Sequence, residues 1–67
     1  MQLVYEGTHT PVNIGDTLKT FRGEEVTLVR WYPPKHAGST GRVEVRVADS
    51  RSTVLYYPSV CGVKIVD

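Results

Sequence analysis

The chain contains few of the side chains from which metal and cofactor sites are built. His9 and His36 are the only histidines and lie in different predicted loops, and Cys61 is the only cysteine. A protein-bound metal ion needs three or four ligands at defined spacings, which this set does not offer. We therefore predict neither a metal nor a cofactor, and we expect both histidines to lie in exposed loops.

Nucleophilic catalysis finds equally little support in the sequence. None of the serines, Ser39, Ser50, Ser52 and Ser59, stands beside a base or in a nucleophile turn. The Gly-Ser-Thr-Gly segment at 38–41 lacks the lysine–serine ending and the helix of a phosphate-binding loop, so we interpret it as a hairpin tip. A chain of 67 residues is also too small to form a pocket of convergent polar groups alone. We predict that the protein is not an enzyme.

Aromatic and basic side chains are interleaved in the middle of the sequence. Trp31 and Tyr32 end one predicted strand, and Tyr56 and Tyr57 end another, so we expect the four rings at adjoining strand ends. Either Tyr32 with Tyr57 or Trp31 with Tyr56 would form an exposed stacking platform, whereas at least half of the rings are expected in the core. Stacking faces beside positive charges are what single-stranded nucleic acid binds. The predicted binding surface consists of Arg30, Trp31, Lys35, His36, Arg42 and Arg46.

Positive charge is concentrated in the central part of the chain. Residues 17–51 hold seven basic and four acidic side chains, a balance of +3, while residues 1–16 carry −2 and residues 52–67 carry 0. An ordinary solvated sheet face would give the same distribution, so the charge alone does not identify a site. Arg42 and Arg46 are predicted on one strand face, about 13 Å apart along it, which is near two phosphate intervals of an extended nucleic acid.

Short β-strands are the elements expected to position these side chains. Residues 42–47 alternate strictly, with Val43, Val45 and Val47 predicted to point inward. The Pro33-Pro34 pair ends the preceding strand, because proline donates no ladder hydrogen bond. The predicted strands cover residues 2–5, 17–21, 24–32, 42–47, 52–57 and 62–66, with turns at 15–16, 22–23 and 48–51 and a 3₁₀ turn at 58–61. The predicted buried residues are Leu18, Val26, Leu28, Val43, Val45, Leu55, Val63 and Ile65.

The single cysteine and the hydropathy of the chain bear on its location. Cys61 has no intrachain disulfide partner and is expected to be a small buried hydrophobic residue, which suits a reducing compartment. No apolar run reaches the length of a membrane span, and residues 1–16 lack the pattern of a signal peptide. We therefore predict a soluble, cytoplasmic protein without membrane contact.

Five or six short strands without a helix predict an all-β domain over residues 1–67, built as a small closed or half-closed barrel. The order of the predicted elements resembles that of an SH3-like barrel: a long irregular connection at 6–16, a three-stranded meander, a 3₁₀ turn and a short last strand. Within that group, three stretches are similar to the Gly-Asp and Gly-x-Val signals of KOW and Tudor-type modules. They are Ile14-Gly15-Asp16-Thr17-Leu18, Phe21-Arg22-Gly23-Glu24 and Gly41-Arg42-Val43. This resemblance implies a module that binds RNA, DNA or a protein partner.

Three segments are also similar to short proteins encoded by phages and prophages: FRGE at 21–24, Trp-x-Pro-Pro at 31–34 and Gly-Ser-Thr-Gly-Arg-Val at 38–43. The similarity implies a phage context, and hence the host cytoplasm. Our leading hypothesis is a small non-catalytic module that binds nucleic acid through a basic and aromatic strand face and the 33–41 loop. The alternative is a protein-binding or assembly module, such as a virion accessory component or an inhibitor of a host protein. The sequence leaves the oligomeric state open.

Overall fold

The structure, a computed structural model, describes residues 1–36, 38–47 and 50–66, and within them the fold is all-β. The strands are β1 (Gln2–Tyr5), β2 (Thr17–Lys19), β3 (Glu25–Tyr32), β4 (Arg42–Val47), β5 (Thr53–Tyr56) and β6 (Val63–Val66), with one 3₁₀ turn at Pro58–Cys61. These bounds agree with the predicted elements to within two residues. None of the described residues belongs to a helix long and apolar enough to cross a membrane.

The strands form two antiparallel sheets. One sheet has four strands in the order β2-β3-β4-β5, and the other pairs β1 with β6. Over the described ranges no strand of one sheet pairs with a strand of the other, so the predicted barrel closure is not observed. Instead, the amide of Phe21, which follows β2, donates to the carbonyl of Val60 in the 3₁₀ turn, and this backbone hydrogen bond links the two parts. The Glu6 amide donates to the Gly62 carbonyl and extends the pairing of β1 with β6.

The core lies between the two sheets and is built mainly from β-branched residues, which suit the pleated surface of a strand. Val43, Val45 and Val63 are completely inaccessible to solvent, and Val47 packs against them from the end of β4. The inward alternation predicted for residues 42–47 is therefore confirmed. Of the predicted core, Leu18, Val26, Leu28, Val43, Val45 and Val63 are buried. The core also contains Leu3, Val12 and Cys61.

Two predicted core residues differ from expectation. Ile65 is only partly buried, although it packs against the core. Leu55 is 57% exposed, so its predicted burial is wrong. Leu55 is paired with Glu44 of β4, whose side chain lies on the solvent side of the sheet, and Leu55 therefore lies on that side too. Apolar residues occupy consecutive positions in β5, so alternation could not identify its buried face.

A β-bulge in β3 explains a second difference. Leu28 pairs with Val45 and Arg30 pairs with Glu44, so β3 advances two residues where β4 advances one. The extra residue reverses the alternation of β3 from this point onward. Strict alternation, which would put Arg30 on the same face as Leu28, therefore fails at this point. Trp31 instead turns inward, opposite Val43, and packs partly buried against the core.

The closing segment of the chain agrees with the sequence prediction. Pro58 begins the 3₁₀ turn and Cys61 ends it, and both are buried. Burial raises the pKa of the Cys61 thiol, which keeps it in the protonated, unreactive form. In the predicted 48–51 turn, the Ser50 amide donates to the carbonyl of Val47, while residues 48 and 49 lie outside the described ranges.

Candidate functional site

The side of the four-stranded sheet that faces away from the core, called the outer face here, carries aromatic, basic and hydroxyl side chains. Their positions follow from the strand register. One row across the strands is Thr17, Thr27, Arg46 and Thr53; a second is Arg30, Glu44 and Leu55. A third row is formed by Tyr32 and Arg42, which pair across β3 and β4, with Tyr57 beside them. Charged, hydroxyl and aromatic groups thus alternate over one open surface.

Glu44 is the polar centre of the outer face. Its carboxylate accepts a 2.7 Å hydrogen bond from the Tyr32 hydroxyl and a 2.8 Å bond from the Thr53 hydroxyl. The Arg30 guanidinium adds an ion pair, with 3.7 Å between its Nε and the carboxylate. The hydrogen bond from Tyr32, and then that from Thr53, lower the pKa of Glu44, while the same bond to Glu44 raises the pKa of Tyr32. The carboxylate therefore stays ionised and partly neutralises Arg30.

This arrangement predicts a specific acid sensitivity. A lowered Glu44 pKa stabilises the fold above the ordinary glutamate pKa of about 4.3, and this contribution is lost as pH falls through the folded-state value. Tyr32→Phe removes the largest cause of the shift, so we expect the variant to lose less of its thermal stability between about pH 5 and pH 2 than the wild type. Thermal melts over that range measure the difference. Tyr57→Phe, which removes a hydroxyl elsewhere on the outer face, should retain the wild-type pH profile; an identical profile for Tyr32→Phe would contradict the prediction.

Arg42 is held in place at the end of the outer face nearest the 33–41 loop. Its guanidinium carbon lies 4.0 Å from the centroid of the Tyr57 ring, a close cation–π stack. One guanidinium nitrogen also donates a 2.7 Å hydrogen bond to the carbonyl oxygen of Gly41. Tyr57 is 55% exposed and Tyr32 is 41% exposed, so both rings remain accessible beside the stacked arginine. The result is a positively charged, aromatic surface with a preset geometry.

The 33–41 loop folds against this surface and leaves two open depressions on either side of Arg42. One has a volume of about 260 Å³ and is lined by Tyr32, Pro33, Lys35, His36, Ser39, Gly41 and Arg42. The other has a volume of about 510 Å³ and is lined by His36, Gly38, Ser39, Thr40, Arg42, Tyr57 and Ser59. The loop is shaped by Ser39, whose amide donates to the carbonyl of His36 and whose hydroxyl accepts from the Gly41 amide. Residue 37 of this loop lies outside the described ranges.

The structure brings three of the six predicted site residues together around these depressions. Lys35, His36 and Arg42 line the same depression, and Lys35 and His36 are exposed. His9 is exposed as well, so the predicted solvent exposure of both histidines is confirmed. The loop at 33–41 and the start of β4 thus form one surface.

The other three predicted residues lie apart from the depressions. Arg30 is bound to Glu44 in the middle of the outer face, and Arg46 is exposed at its far end, beyond Glu44. Trp31 lies on the opposite side of the sheet, against the core. Of the two predicted aromatic platforms, the exposed pair is therefore Tyr32 and Tyr57.

Glu44 and Ser39 also contribute to this surface, although neither is among the predicted site residues. The alternation of residues 42–47 already placed Glu44 outward between Arg42 and Arg46, which was a usable signal. Its bonds to Tyr32 and Thr53 depend on the register of β3, β4 and β5 and could not be anticipated. The role of Ser39 depends on how the loop folds back, for which the sequence holds no periodic pattern.

Comparison with known proteins does not assign a family. No family model matches the chain, and no significant match exists among curated proteins or solved structures. Within residues 1–36, 38–47 and 50–66, no three His, Cys, Asp or Glu side chains are grouped so that they would hold a metal ion. The function is therefore argued from the chemistry of the outer face and the loop.

Proposed function

We propose that this protein is a small binding module for single-stranded nucleic acid. The observation that carries the proposal is the Arg42 guanidinium stacked 4.0 Å above the Tyr57 ring, with Tyr32 on the other side of β4. Bases of any sequence stack on aromatic rings, each stack contributing about 1–3 kcal/mol, and arginine adds a cation–π contribution. Lys35 and His36 line the adjoining depression, and the Lys35 ammonium supplies donors for phosphate oxygens.

The way Arg42 is held favours binding. Its stack on Tyr57 and its hydrogen bond to Gly41 already restrict the side chain in the unbound protein. A ligand then loses less free energy to side-chain ordering than it would on a mobile arginine. The Gly41 carbonyl accepts from one nitrogen of the guanidinium, and other N–H groups of this five-donor side chain can bind a phosphate or a base edge.

Glu44 directs the ligand toward the loop end of the outer face. Its ionised carboxylate, held by Tyr32 and Thr53, repels phosphate groups from the middle of the sheet. The same carboxylate partly neutralises the adjacent Arg30. The phosphates therefore follow Arg42, Lys35 and His36 rather than a line from Arg42 to Arg46. The similarity of the Gly41-Arg42-Val43 sequence to KOW and Tudor-type modules adds support, and the predicted cytoplasmic location suits such a ligand.

Fluorescence anisotropy with labelled oligo-dT and oligo-U at low salt tests the proposal. We expect Arg42→Glu to weaken binding by roughly tenfold or more, since it replaces a stacked cation with a repelling anion. The matched control is Arg46→Glu, which makes the same change on the same face of β4; we expect a loss of roughly threefold or less. The double variant should remain folded, with its affinity and salt dependence strongly reduced.

Two results would remove this proposal. One is the absence of binding at tens of micromolar protein, and the other is binding that does not depend on salt. Equal losses of affinity for Arg42→Glu and Arg46→Glu would mean that the ligand responds to the overall charge of the sheet. That result would contradict the site described here.

A protein-binding or assembly role is the second candidate, supported by different features. Phe21 is 75% exposed, and Leu55 of the edge strand β5 is 57% exposed. Large apolar side chains and an edge strand both favour contact with another polypeptide, including strand addition. An assembly role in a virion or inhibition of a host protein would use such a surface. A pull-down from host lysate with wild type and Phe21→Ser tests this alternative; loss of a captured partner only in the variant would support it.

A further inference from the structure

A third depression continues the two that flank Arg42. It has a volume of about 230 Å³ and is lined by Glu6, Pro34, Ser39, Thr40, Pro58, Ser59, Val63, Lys64 and Ile65. It shares Ser39, Thr40 and Ser59 with the depression that contains Tyr57. The three depressions therefore form one continuous surface around the 33–41 loop, called the loop groove here. It runs from the four-stranded sheet to the two-stranded sheet.

The chemistry changes along the loop groove in a regular order. The end at Arg42 offers aromatic rings and positive charge. The middle offers the side-chain hydroxyls of Ser39, Thr40 and Ser59, which are suitable partners for phosphate and sugar oxygens. The far end has the exposed ammonium of Lys64 beside apolar walls from Pro34 and Pro58, among others. A linear polyanion with flat apolar bases matches this order.

We infer that the loop groove carries a single-stranded nucleic acid from the Tyr57–Arg42 stack to Lys64, so that β6 of the second sheet contributes a phosphate contact. This inference rests on the proposed function and names the path of the ligand. The prolines of the walls limit backbone motion, so this part of the path is largely formed before binding. Glu6 lines the same end of the loop groove and repels phosphates beyond Lys64. The contact between the nucleic acid and the groove therefore ends at Lys64.

We expect the effect of a Lys64 substitution on binding affinity to depend on the length of the ligand. An oligo-dT of about three nucleotides occupies only the Tyr57–Arg42 end, whereas one of about ten nucleotides covers the whole groove. Lys64→Glu should therefore weaken binding of the longer ligand by roughly tenfold and leave that of the shorter ligand within about twofold. The salt slope for the longer ligand should fall by about 0.7 for the lost phosphate contact. Glu6→Gln should strengthen binding of the longer ligand only.

The matched control is Lys19→Glu, because Lys19 is an exposed lysine on β2, outside the residues that line the loop groove. Circular dichroism and thermal melts establish that the variants are folded. Equal effects of Lys19→Glu and Lys64→Glu, or an effect of Lys64→Glu on both ligand lengths, would overturn the inference. The proposed function would survive that result provided that Arg42→Glu still weakens binding by roughly tenfold or more. Failure of the wild type to bind either ligand would overturn the proposed function itself.

Discussion

Val45→Asp is expected to leave the chain without a cooperatively folded state. Val45 is completely buried at the centre of β4, paired with Leu28 on one side and Val54 on the other. An uncompensated buried carboxylate costs about 3–5 kcal/mol, and the lost packing of the valine adds to this. A domain of 67 residues has only about 3–5 kcal/mol from a single core to oppose that loss. Thermal denaturation followed by circular dichroism should show no cooperative transition.

Arg46→Asp is the matched control for this experiment. It introduces the same side chain at the next position of β4, but on the exposed outer face. We expect a cooperative melt within about 1 kcal/mol of the wild-type stability. A cooperative melt of Val45→Asp together with unfolding of Arg46→Asp would mean that the register of β4 is shifted by one residue.

Gly41→Ala has the second largest expected effect. Gly41 is buried and has a φ of +77°, in the left-handed region, where a non-glycine residue costs about 1–2 kcal/mol. A Cβ atom there would lie 2.5 Å from the Tyr32 carbonyl oxygen and 2.7 Å from the Ile65 Cδ1 atom. Both are too close. The Ile65 side chain can turn away from the new atom, but the Tyr32 carbonyl is backbone, so the end of β3 must shift. Overpacking of this kind adds about 1–3 kcal/mol.

Gly23→Ala separates the two contributions. Gly23 has a similar φ of +82°, but its Cβ would meet nothing within 4 Å. We expect a loss of about 1–2 kcal/mol for Gly23→Ala, and at least about 2 kcal/mol more for Gly41→Ala, in urea unfolding. Equal losses would show that the close approach at Gly41 relaxes without cost. Gly41→Ala should also weaken ligand binding more than Gly23→Ala, since Gly41 holds the Arg42 guanidinium.

Local sequence patterns were sufficient to predict the secondary-structure elements of this fold. Strict alternation identified β4 and its inward valines, and the Pro33-Pro34 pair correctly ended β3 at Tyr32. The Pro58–Cys61 turn followed from a proline in a segment too short for a helix. These features depend on side-chain periodicity and on backbone restrictions of proline, both of which act within a few residues. For that reason they are readable in the sequence.

The composition of the candidate site was partly readable for the same reason. Alternation along residues 42–47 predicts the outward positions of Arg42 and Arg46. The two prolines mark the start of the polar 33–41 loop. Alternation also allowed either of two aromatic platforms, because Trp31-Tyr32 and Tyr56-Tyr57 are adjacent pairs in which each ring points to a different face. Only the inward packing of Trp31 and Tyr56 left Tyr32 and Tyr57 on the outer face.

By itself, the sequence determined the strands, the loop and most of the core of this protein, since hydrophobic alternation and proline act locally. The tertiary structure decided the rest through pairing between distant residues. The bulge after Leu28 reversed the faces of Arg30 and Trp31 because β4 sets the register of β3. Leu55 is exposed because it pairs with Glu44 on the outer face, where none of the described residues covers it. The Arg42–Tyr57 stack joins the first residue of β4 to the residue after β5, and only the folded sheet brings the two together.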